Sequence, residues 1–365
     1  MSTSGVSDTP AQGRVGTLQE DARLQELEAY AFSVPADLVA QEPAPERDLA
    51  KLLVLDRRGD VAHSSVRELP RWLKPGDLLV VNETRVLRAR LRGRKTTGGA
   101  AEALLLGPTE EPGRFRAMLR VRGRQRVGQR LLFGPSGEEL PAELIALGCE
   151  GEVVLSFPPG VSPFEVGEAP LPPYIRRDAP RKSDLERYQS VFARVPGSVA
   201  APTASLHLSR ALLQELTARG VECAAVVLHV GPGTFRPLRA SDLAAGRLDA
   251  ERFELPQATA DAVARARARG ARVVAVGTTT TRVLESCASA HRRVSAGRGE
   301  TQLFLRPGDA FAVTDALLTN FHLPRSGPLL LVCALAGREA VLSAYAAAIA
   351  KRYRFYSYGD AMLIL

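Results

Sequence analysis

The sequence predicts an α/β protein with a mixed, largely parallel sheet and a second, small antiparallel β-barrel domain. Two patterns predict this fold class. Short branched-apolar segments bounded by glycine and proline follow one another from about residue 76 to residue 156, with no convincing helix between them, as in a small barrel. After residue 180, segments with helical spacing alternate with apolar segments, which is typical of a largely parallel sheet.

The barrel is assigned to residues 71–154, and the α/β domain to residues 31–70 and 155–365. The clearest barrel strands are AEALLLGP, RFRAMLRV, QRLLFGP and EVVLSF, which turn residues separate at intervals of about ten residues. Residues 1–30 are small and polar, contain glycine and show no apolar periodicity, so we expect a disordered N-terminal extension.

Helices and strands alternate in the α/β part. The segment SRALLQELTARG at 209–220 has apolar residues at helical spacing, a serine at its start and a glycine at its end. It leads into the apolar strand of VECAAVVLHVGPG. A second helix, ATADAVARARARG at 258–270, also ends at glycine and precedes the strand ARVVAVG and the segment TTTTRVLESCASAH. This order of elements favours a parallel sheet.

The composition excludes several classes of protein. The 365 residues suffice for one large domain or two ordinary ones, and no apolar segment approaches the ~20 residues of a membrane span. The N-terminus lacks an apolar signal segment, so we expect a cytoplasmic protein. Four scattered cysteines without a CxxC motif argue against zinc and disulfides, and we expect no metal. The net charge of +8 permits a polyanionic partner without requiring one.

Polar residues follow apolar segments at four places where strands of a parallel sheet would end, which is where such folds bind ligands. Each place also has an ordinary structural explanation. Gly-Pro-Gly makes a tight turn, threonines cap a helix, and a single histidine beside apolar residues is most often a hydrogen-bonded core residue. Four groups at matching positions nevertheless favour a functional site. The groups are His229–Thr234, Gly277–Arg282 with Glu285, Thr319–Pro324 and Ser357–Asp360.

Several motifs, in order along the chain, resemble those of the S-adenosylmethionine:tRNA ribosyltransferase-isomerase family of queuosine biosynthesis. The resemblance runs from about residue 31 to the C-terminus, and nine motifs in one order make it specific. The motifs are LLVLDR, GDLLVVNETRV, LPPYIRR, ERYQSVFA, GSVAAPTASLHL, LHVGPGTFRP, VGTTTTRVLES, TNFHLPRS and YRFYSYGDAML.

The resemblance implies a reaction that consumes S-adenosylmethionine as a sugar donor and uses no metal. The ribosyl group passes to a 7-aminomethyl-7-deazaguanine at the wobble position of a tRNA and rearranges to give epoxyqueuosine, adenine and methionine. One segment departs from the family pattern. A histidine-rich HxMHSE type of segment is replaced by GRLDAERF, in which Glu251 persists and Arg247 and Asp249 stand where histidines are usual.

Such a reaction needs a group that exchanges protons, because a proton leaves the carbon next to the sulfonium and adenine is expelled. His229 and His322 each end an apolar segment and are the first candidates, with the carboxylates of Asp360 and Glu251 as further catalytic candidates. His229 stands two residues before the Gly-Pro-Gly turn, where a substrate can approach bare backbone. We therefore expect His229 to lie closer to the chemistry than His322.

Two further sets of residues are predicted to bind ligands. The loop and helix-start residues suit oxygen contacts with S-adenosylmethionine, and arginines and tyrosines suit phosphates and unstacked bases of RNA. The predicted cosubstrate-binding residues are Gly231, Gly233, Thr234, Thr278, Thr279, Arg282, Glu285 and Asn320. The predicted RNA-binding residues are Tyr174, Arg176, Arg177, Arg187 and Tyr188.

Two other functions stay open at this point. The chain could be a non-catalytic RNA-binding protein with the barrel as its platform, although the polar strand ends argue against it. It could also be a different S-adenosylmethionine-dependent tRNA-modifying transferase, which would release S-adenosylhomocysteine if it transfers a methyl group. We expect a monomer in each case.

Overall fold

A nine-stranded mixed sheet and a closed six-stranded barrel organise the chain, which confirms the predicted fold class. The structure is a computed structural model that describes residues 25–149, 151–289 and 291–365. Its strands are β1 (Lys51–Leu55), β2 (Val61–Ser65), β3 (Leu78–Asn82), β4 (Thr84–Val86), β5 (Arg90–Lys95), β6 (Ala100–Pro108), β7 (Arg114–Val121), β8 (Arg130–Phe133), β9 (Leu140–Leu147), β10 (Glu152–Ser156), β11 (Val195–Ser198), β12 (Glu222–Leu228), β13 (Glu251–Leu255), β14 (Val273–Val276), β15 (Gly297–Thr301), β16 (Ala316–Asn320) and β17 (Ala361–Ile364).

Helices cover both faces of the large sheet. Two of them begin at serine caps, of which only the first was predicted: the side chain of Ser209 accepts the backbone N–H of Leu212, and that of Ser326 accepts the N–H of Leu329. The α-helices are α1 (Lys182–Arg187), α2 (Arg210–Ala218), α3 (Ala240–Ala245), α4 (Gln257–Ala268), α5 (Thr278–Ser286), α6 (Gly327–Ala336) and α7 (Arg338–Ala350). Short 3-10 helices occupy Ala36–Leu38, Arg47–Leu49, Val66–Arg71, Thr203–His207 and Pro232–Phe235.

The large sheet has the order β15-β13-β12-β3-β14-β16-β17-β1-β2. Its central strands β12, β3, β14 and β16 are parallel to one another, so their carboxyl ends meet at one edge. β17 runs antiparallel to β16, and β1 runs parallel to β17. The loops after β12, β14 and β16 therefore gather at the same edge of the sheet.

The barrel is built from β5 to β10, and its predicted start at residue 71 was too early. Strand β3 belongs to the centre of the large sheet: Leu78 and Val80 pack into one core, and Leu79 and Val81 pack into the other. A parallel strand covered on both faces is apolar at every position, whereas β6 and β10 alternate between buried and more exposed residues. Both kinds of strand are short and apolar, so the boundary between them was misplaced.

The predicted N-terminal extension was also too long. Residues 1–24 lie outside the described part of the chain, but residues 25–28 are helical. The side chain of Leu27 is 2% exposed within the main core, and Glu28 forms an ion pair with Arg325 at 2.6 Å. The folded domain therefore begins before residue 30.

We predict that a deletion variant starting at Ala31 unfolds at a clearly lower temperature than one starting at Gln25. The shorter variant lacks Leu27 and Tyr30, both buried in the core, and truncating a single buried leucine typically costs about 2–5 kcal/mol. Thermal denaturation followed by circular dichroism compares the two. Equal melting temperatures would show that this segment does not contribute to the core.

No single helix within the described residues has the length and apolar character required to cross a membrane. Helices α6 and α7 meet that requirement only as a pair, and they are bent by 111° relative to each other.

Candidate active site

A cleft opens at the edge of the sheet where the parallel strands end, and it has two lobes. We call them the aromatic lobe, with an open volume of ≈ 570 Å³, and the leucine lobe, with ≈ 750 Å³. The aromatic lobe is lined by Tyr174, Phe321, His322, Tyr356 and Asn320, among others, and the leucine lobe by Leu238, Leu248, Leu303, Leu305 and Leu331, among others.

The two lobes meet at the amino ends of α5 and α6. Thr234, Thr278, Thr279 and Pro328 line both of them. The first N–H groups of a helix have no partner within the helix, and the helix dipole makes this end positive. The junction therefore suits a carboxylate or a sugar oxygen.

The threonine run of α5 divides into two structural roles. The hydroxyls of Thr280 and Thr281 donate back to the carbonyls of Val276 and Gly277, at 2.8 and 3.3 Å, and both side chains are fully buried. Thr278 and Thr279 instead face the cleft. The two threonines of this run that line the cleft are thus Thr278 and Thr279, the two that the sequence predicts to bind the cosubstrate.

A buried ion pair fixes the Gly-Pro-Gly loop on the side of the leucine lobe. Glu251 accepts the backbone N–H of Gly231 at 2.7 Å and pairs with the guanidinium of Arg282. The Nε of Arg282 also donates to the carbonyl of Leu303 at 3.0 Å, and the side chains of Glu251 and Arg282 are only 6% and 8% exposed. Since both oxygens of Glu251 are engaged, its geometry favours positioning the loop over exchanging protons.

Asn320, at the end of β16, presents a buried acceptor to this site. Its Nδ2 donates to the backbone carbonyl of Tyr356 and to Nε2 of His207, each at 3.1 Å. The carbonyl accepts only, so it fixes which end of the amide is the nitrogen. The Oδ1 of Asn320 has no hydrogen-bond partner among the described residues. A ligand N–H group would satisfy it.

His322 lies in the wall of the aromatic lobe. Its Nε2 is 2.7 Å from the hydroxyl of Thr319, and its backbone N–H donates to the hydroxyl of Tyr345 at 2.9 Å. Burial lowers the pKa of His322 to about 3, so the imidazole is neutral at pH 7.

His229, which the sequence predicts to be the histidine closer to the chemistry, is not among the described residues that line either lobe. Its Nδ1 is 2.9 Å from the hydroxyl of Thr84. The backbone of Gly197 lies against the ring, where an added Cβ would come within 2.6 Å of Cε1. Burial, and then the positive charge of Arg252, lower the pKa of His229. Its neighbour Val230 faces the aromatic lobe instead, because adjacent residues of an extended chain point in opposite directions.

Two other predicted site residues hold backbone rather than lining the cleft. Asp360 accepts the N–H groups of Lys51 and Arg354 at 3.0 and 2.8 Å. Glu285 accepts three consecutive N–H groups, those of residues 312–314. We leave both carboxylates out of the proposed catalytic and cosubstrate-binding sets. Among the described residues, no group of three or more His, Cys, Asp and Glu side chains could hold a metal ion.

Three of the predicted RNA-binding residues are engaged within the protein. Tyr188 is 1% exposed, and Arg177 is buried against Asp184 at 2.8 Å. Arg187 donates to the carbonyls of Ala44 and Pro45. A buried ring cannot stack on a base, and arginines that are bound within the protein are not free to hold phosphates. We therefore leave these three residues out of the proposed RNA-binding surface and keep Tyr174 and Arg176.

Arg176 is exposed, and Tyr174 lies in the wall of the aromatic lobe. The hydroxyl of Tyr174 is 2.7 Å from that of Ser357, and its ring centroid is 4.9 Å from that of Tyr356. The 174–188 segment therefore borders the aromatic lobe rather than the leucine lobe.

The structure also predicts how stability responds to acid. Burial lowers the pKa of both His207 and His322 to about 3, whereas an unfolded histidine titrates near pH 6.5. Between these values the unfolded chain binds protons that the folded chain does not, so the free energy of unfolding falls as the pH falls through this window. Each histidine contributes up to about 1.4 kcal/mol per pH unit.

Urea denaturation at several pH values between about 7.5 and 5 measures this dependence. We expect the double variant His207→Gln and His322→Gln to show a flatter pH dependence than the wild type. An unchanged slope would mean that the two imidazoles are accessible to protons in the folded state.

Comparisons with known proteins agree with the motifs. A family described as "Queuosine biosynthesis protein" matches residues 27–364. A protein of Anaeromyxobacter sp. (strain Fw109-5), named S-adenosylmethionine:tRNA ribosyltransferase-isomerase, is 51% identical over 345 residues, 93% of this chain and 98% of that protein. A protein of the same name from Thermus thermophilus is 49% identical over 351 residues, 94% of this chain and 100% of that protein.

A solved structure agrees as well. The crystal structure of an S-adenosylmethionine tRNA ribosyltransferase from Thermotoga maritima is 35% identical, with a TM-score of 0.52, and the match covers 92% of this chain and 100% of that one. The resemblance inferred from the motifs is thereby confirmed over almost the whole described chain. The chain belongs to the queuosine biosynthesis family of S-adenosylmethionine:tRNA ribosyltransferase-isomerases and is a transferase.

Proposed function

We propose that this enzyme transfers the ribosyl group of S-adenosylmethionine to a 7-aminomethyl-7-deazaguanine at the tRNA wobble position and isomerises it. The products are epoxyqueuosine-tRNA, adenine and methionine. The observation that carries the proposal is the two-lobed cleft, whose lobes meet at helix amino ends. Two lobes suit a reaction between two ligands, and the junction suits the sugar that passes between them.

The environment of each lobe suggests which ligand it takes. The aromatic lobe is bordered by the 174–188 segment, so it is the lobe that a splayed-out wobble base would enter. The partly exposed ring of Tyr356 can hold a flat base, and Oδ1 of Asn320 can accept one of its N–H groups. The leucine lobe takes S-adenosylmethionine, with the carboxylate of Asp249 in its lining.

We assign His322 a proton-transfer role in this chemistry. The sulfonium acidifies the hydrogens on the adjacent C5′, and removing one of them leads to expulsion of adenine. The neutral imidazole of His322 can accept that proton. Because an imidazolium in this buried place lacks solvation, the proton moves on to the departing adenine. The neutral amine of the base then forms a C–N bond to the sugar and loses a proton to solvent, and the C–S bond breaks with its electron pair leaving on methionine.

The products test this proposal. The enzyme is incubated with S-adenosylmethionine and a tRNA that carries the 7-aminomethyl-7-deazaguanine precursor, and the released small molecules are separated by chromatography. We expect adenine and methionine in equal amounts, with none when the precursor is missing from the tRNA. Release of S-adenosylhomocysteine would establish methyl transfer instead, and binding of tRNA without any product would support the non-catalytic alternative.

A further inference from the structure

One segment of the barrel carries only positive charge. Residues 112–137 contain seven arginines and no aspartate, glutamate or lysine. The arginines do not share one environment. Arg114 and Arg116 form ion pairs with Glu111 and Glu152. Arg120 and Arg130 lie opposite glutamates on neighbouring strands.

The remaining three, Arg122, Arg124 and Arg126, lie in the loop between β7 and β8. All three are exposed. Within the part of the chain that the structure describes, none of them forms an ion pair. Three like charges on one short loop repel one another, and a polyanion is the partner that would relieve that repulsion.

The loop is held in place by the barrel. Gln125 donates its side-chain N–H to the carbonyl of Leu119 at 2.7 Å, and the N–H of Gly128 donates to the carbonyl of Leu144 at 2.8 Å. On the other side, Nζ of Lys95, the last residue of β5, donates to the carbonyl of Arg122 at 2.9 Å. These bonds join the loop and the end of β5 into one cationic barrel end, which we define as Lys95, Arg122, Arg124 and Arg126.

Strand β5 links this cationic barrel end to the active site. At its start, Arg90 donates to the carbonyl of Leu171 at 2.7 Å and Arg92 to that of Arg177 at 3.3 Å, next to the aromatic lobe. At its other end is Lys95. Five steps of about 3.3 Å each separate Arg90 from Lys95, which places the cationic barrel end roughly 17 Å from Arg90. A folded tRNA with its wobble base in the cleft is long enough to reach both places.

We propose that the cationic barrel end is a second RNA-binding surface, which holds phosphates of the tRNA at a distance from the wobble base. The inference rests on the proposed function for the identity of the RNA. Arginine donors and an ordered loop suit phosphate contacts, which set position and affinity but carry no sequence information. This surface therefore acts on tRNA binding and leaves the chemistry unchanged.

The test is the triple variant Arg122→Gln, Arg124→Gln and Arg126→Gln. Binding of unmodified tRNA is measured by fluorescence anisotropy over a range of salt concentrations, which requires no turnover. We expect Kd at physiological salt to rise about tenfold or more, and the salt slope to fall by about 0.7–0.9 for each phosphate that the variant no longer binds. Turnover at saturating tRNA and binding of S-adenosylmethionine should remain those of the wild type.

A matched control removes three positive charges from the opposite edge of the sheet, with Arg57→Gln, Arg58→Gln and Lys74→Gln. Arg57 and Arg58 follow β1, which runs opposite to β16, and Lys74 precedes β3. The control should bind tRNA like the wild type. The inference is overturned if the barrel variant keeps wild-type affinity and slope, or if the control is weakened as much. Product formation by the wild type tests the proposed function separately.

Discussion

Replacing Arg282 with methionine is expected to destabilise the fold by about 3–5 kcal/mol, because it leaves the carboxylate of Glu251 buried without its partner. The pair lies between β13 and α5, with both side chains under a tenth exposed. Glu251 also holds Gly231, so the Gly-Pro-Gly loop should lose its fixed position at the same time. Denaturant unfolding at pH 7 measures the change in stability.

The chain offers a matched control in Arg298→Met. Glu254 lies in β13, the strand that also contains Glu251. Arg298 pairs with Glu254 at 2.9 Å, but the side chain of Arg298 is 79% exposed. Exposed pairs contribute at most about 1 kcal/mol, so this variant should remain close to the wild type. The double variant Glu251→Leu and Arg282→Met should regain part of the stability, since it buries no unpaired charge. Equal destabilisation by both single variants would contradict the importance of burial.

The variant His322→Gln is expected to lower the single-turnover rate about 10²–10⁴-fold, the usual range for removal of a group that transfers protons. Glutamine can keep a hydrogen bond to Thr319, so the wall of the aromatic lobe stays in place. Binding of S-adenosylmethionine should therefore change little, and the effect should fall on kcat rather than on KM. Rapid-quench measurement of adenine release at saturating substrates gives this rate.

The control for this prediction is His229→Gln. The ring of His229 packs on Gly197 and bonds to Thr84 outside both lobes, so its replacement should slow adenine release less than about tenfold, or ~1.4 kcal/mol of barrier. If His229→Gln is the slower variant, the assignment of the two histidines is reversed, and the expectation drawn from the Gly-Pro-Gly motif was correct.

The fold class could be predicted because it depends on patterns that are local in sequence. Serine caps, terminal glycines and periods of apolar residues identified α2 and α4 and their neighbouring strands. The sheet to which a strand belongs is not local. β3 pairs with β12 and β14, which lie more than a hundred residues further along the chain, and its sequence alone does not reveal this. Leu27 illustrates the same limit, since a single buried residue shows no periodicity.

Strand ends indicated which loops form the cleft, whereas side-chain direction could not be predicted from the sequence. Thr278, Thr279 and Asn320 follow β14 or end β16, and they line the cleft. His229 also ends a strand, but it is Val230 that faces the lobe, and one residue of register decides between them. The contact of Asn320 with His207 joins residues 113 positions apart, so no local pattern indicated it.

The segment that departs from the family pattern has a structural role in this chain. Arg236 pairs with Asp242 at 2.6 Å and with Asp249 at 3.3 Å. The carboxylate of Asp249 lies so close to Gly233 that a side chain at position 233 would displace it. Asp249 therefore helps to shape the mouth of the leucine lobe together with a glycine of the Gly-Pro-Gly loop.

The most direct test of the central claim follows the sugar itself. The enzyme is given S-adenosylmethionine with every ribose carbon labelled with ¹³C, together with precursor-bearing tRNA, and the digested nucleosides are analysed by mass spectrometry. The account predicts a modified deazaguanosine that contains all the labelled ribose carbons, together with unlabelled adenine and methionine. A tRNA that gains only a methyl group, or that gains no label while S-adenosylmethionine is consumed, would contradict it.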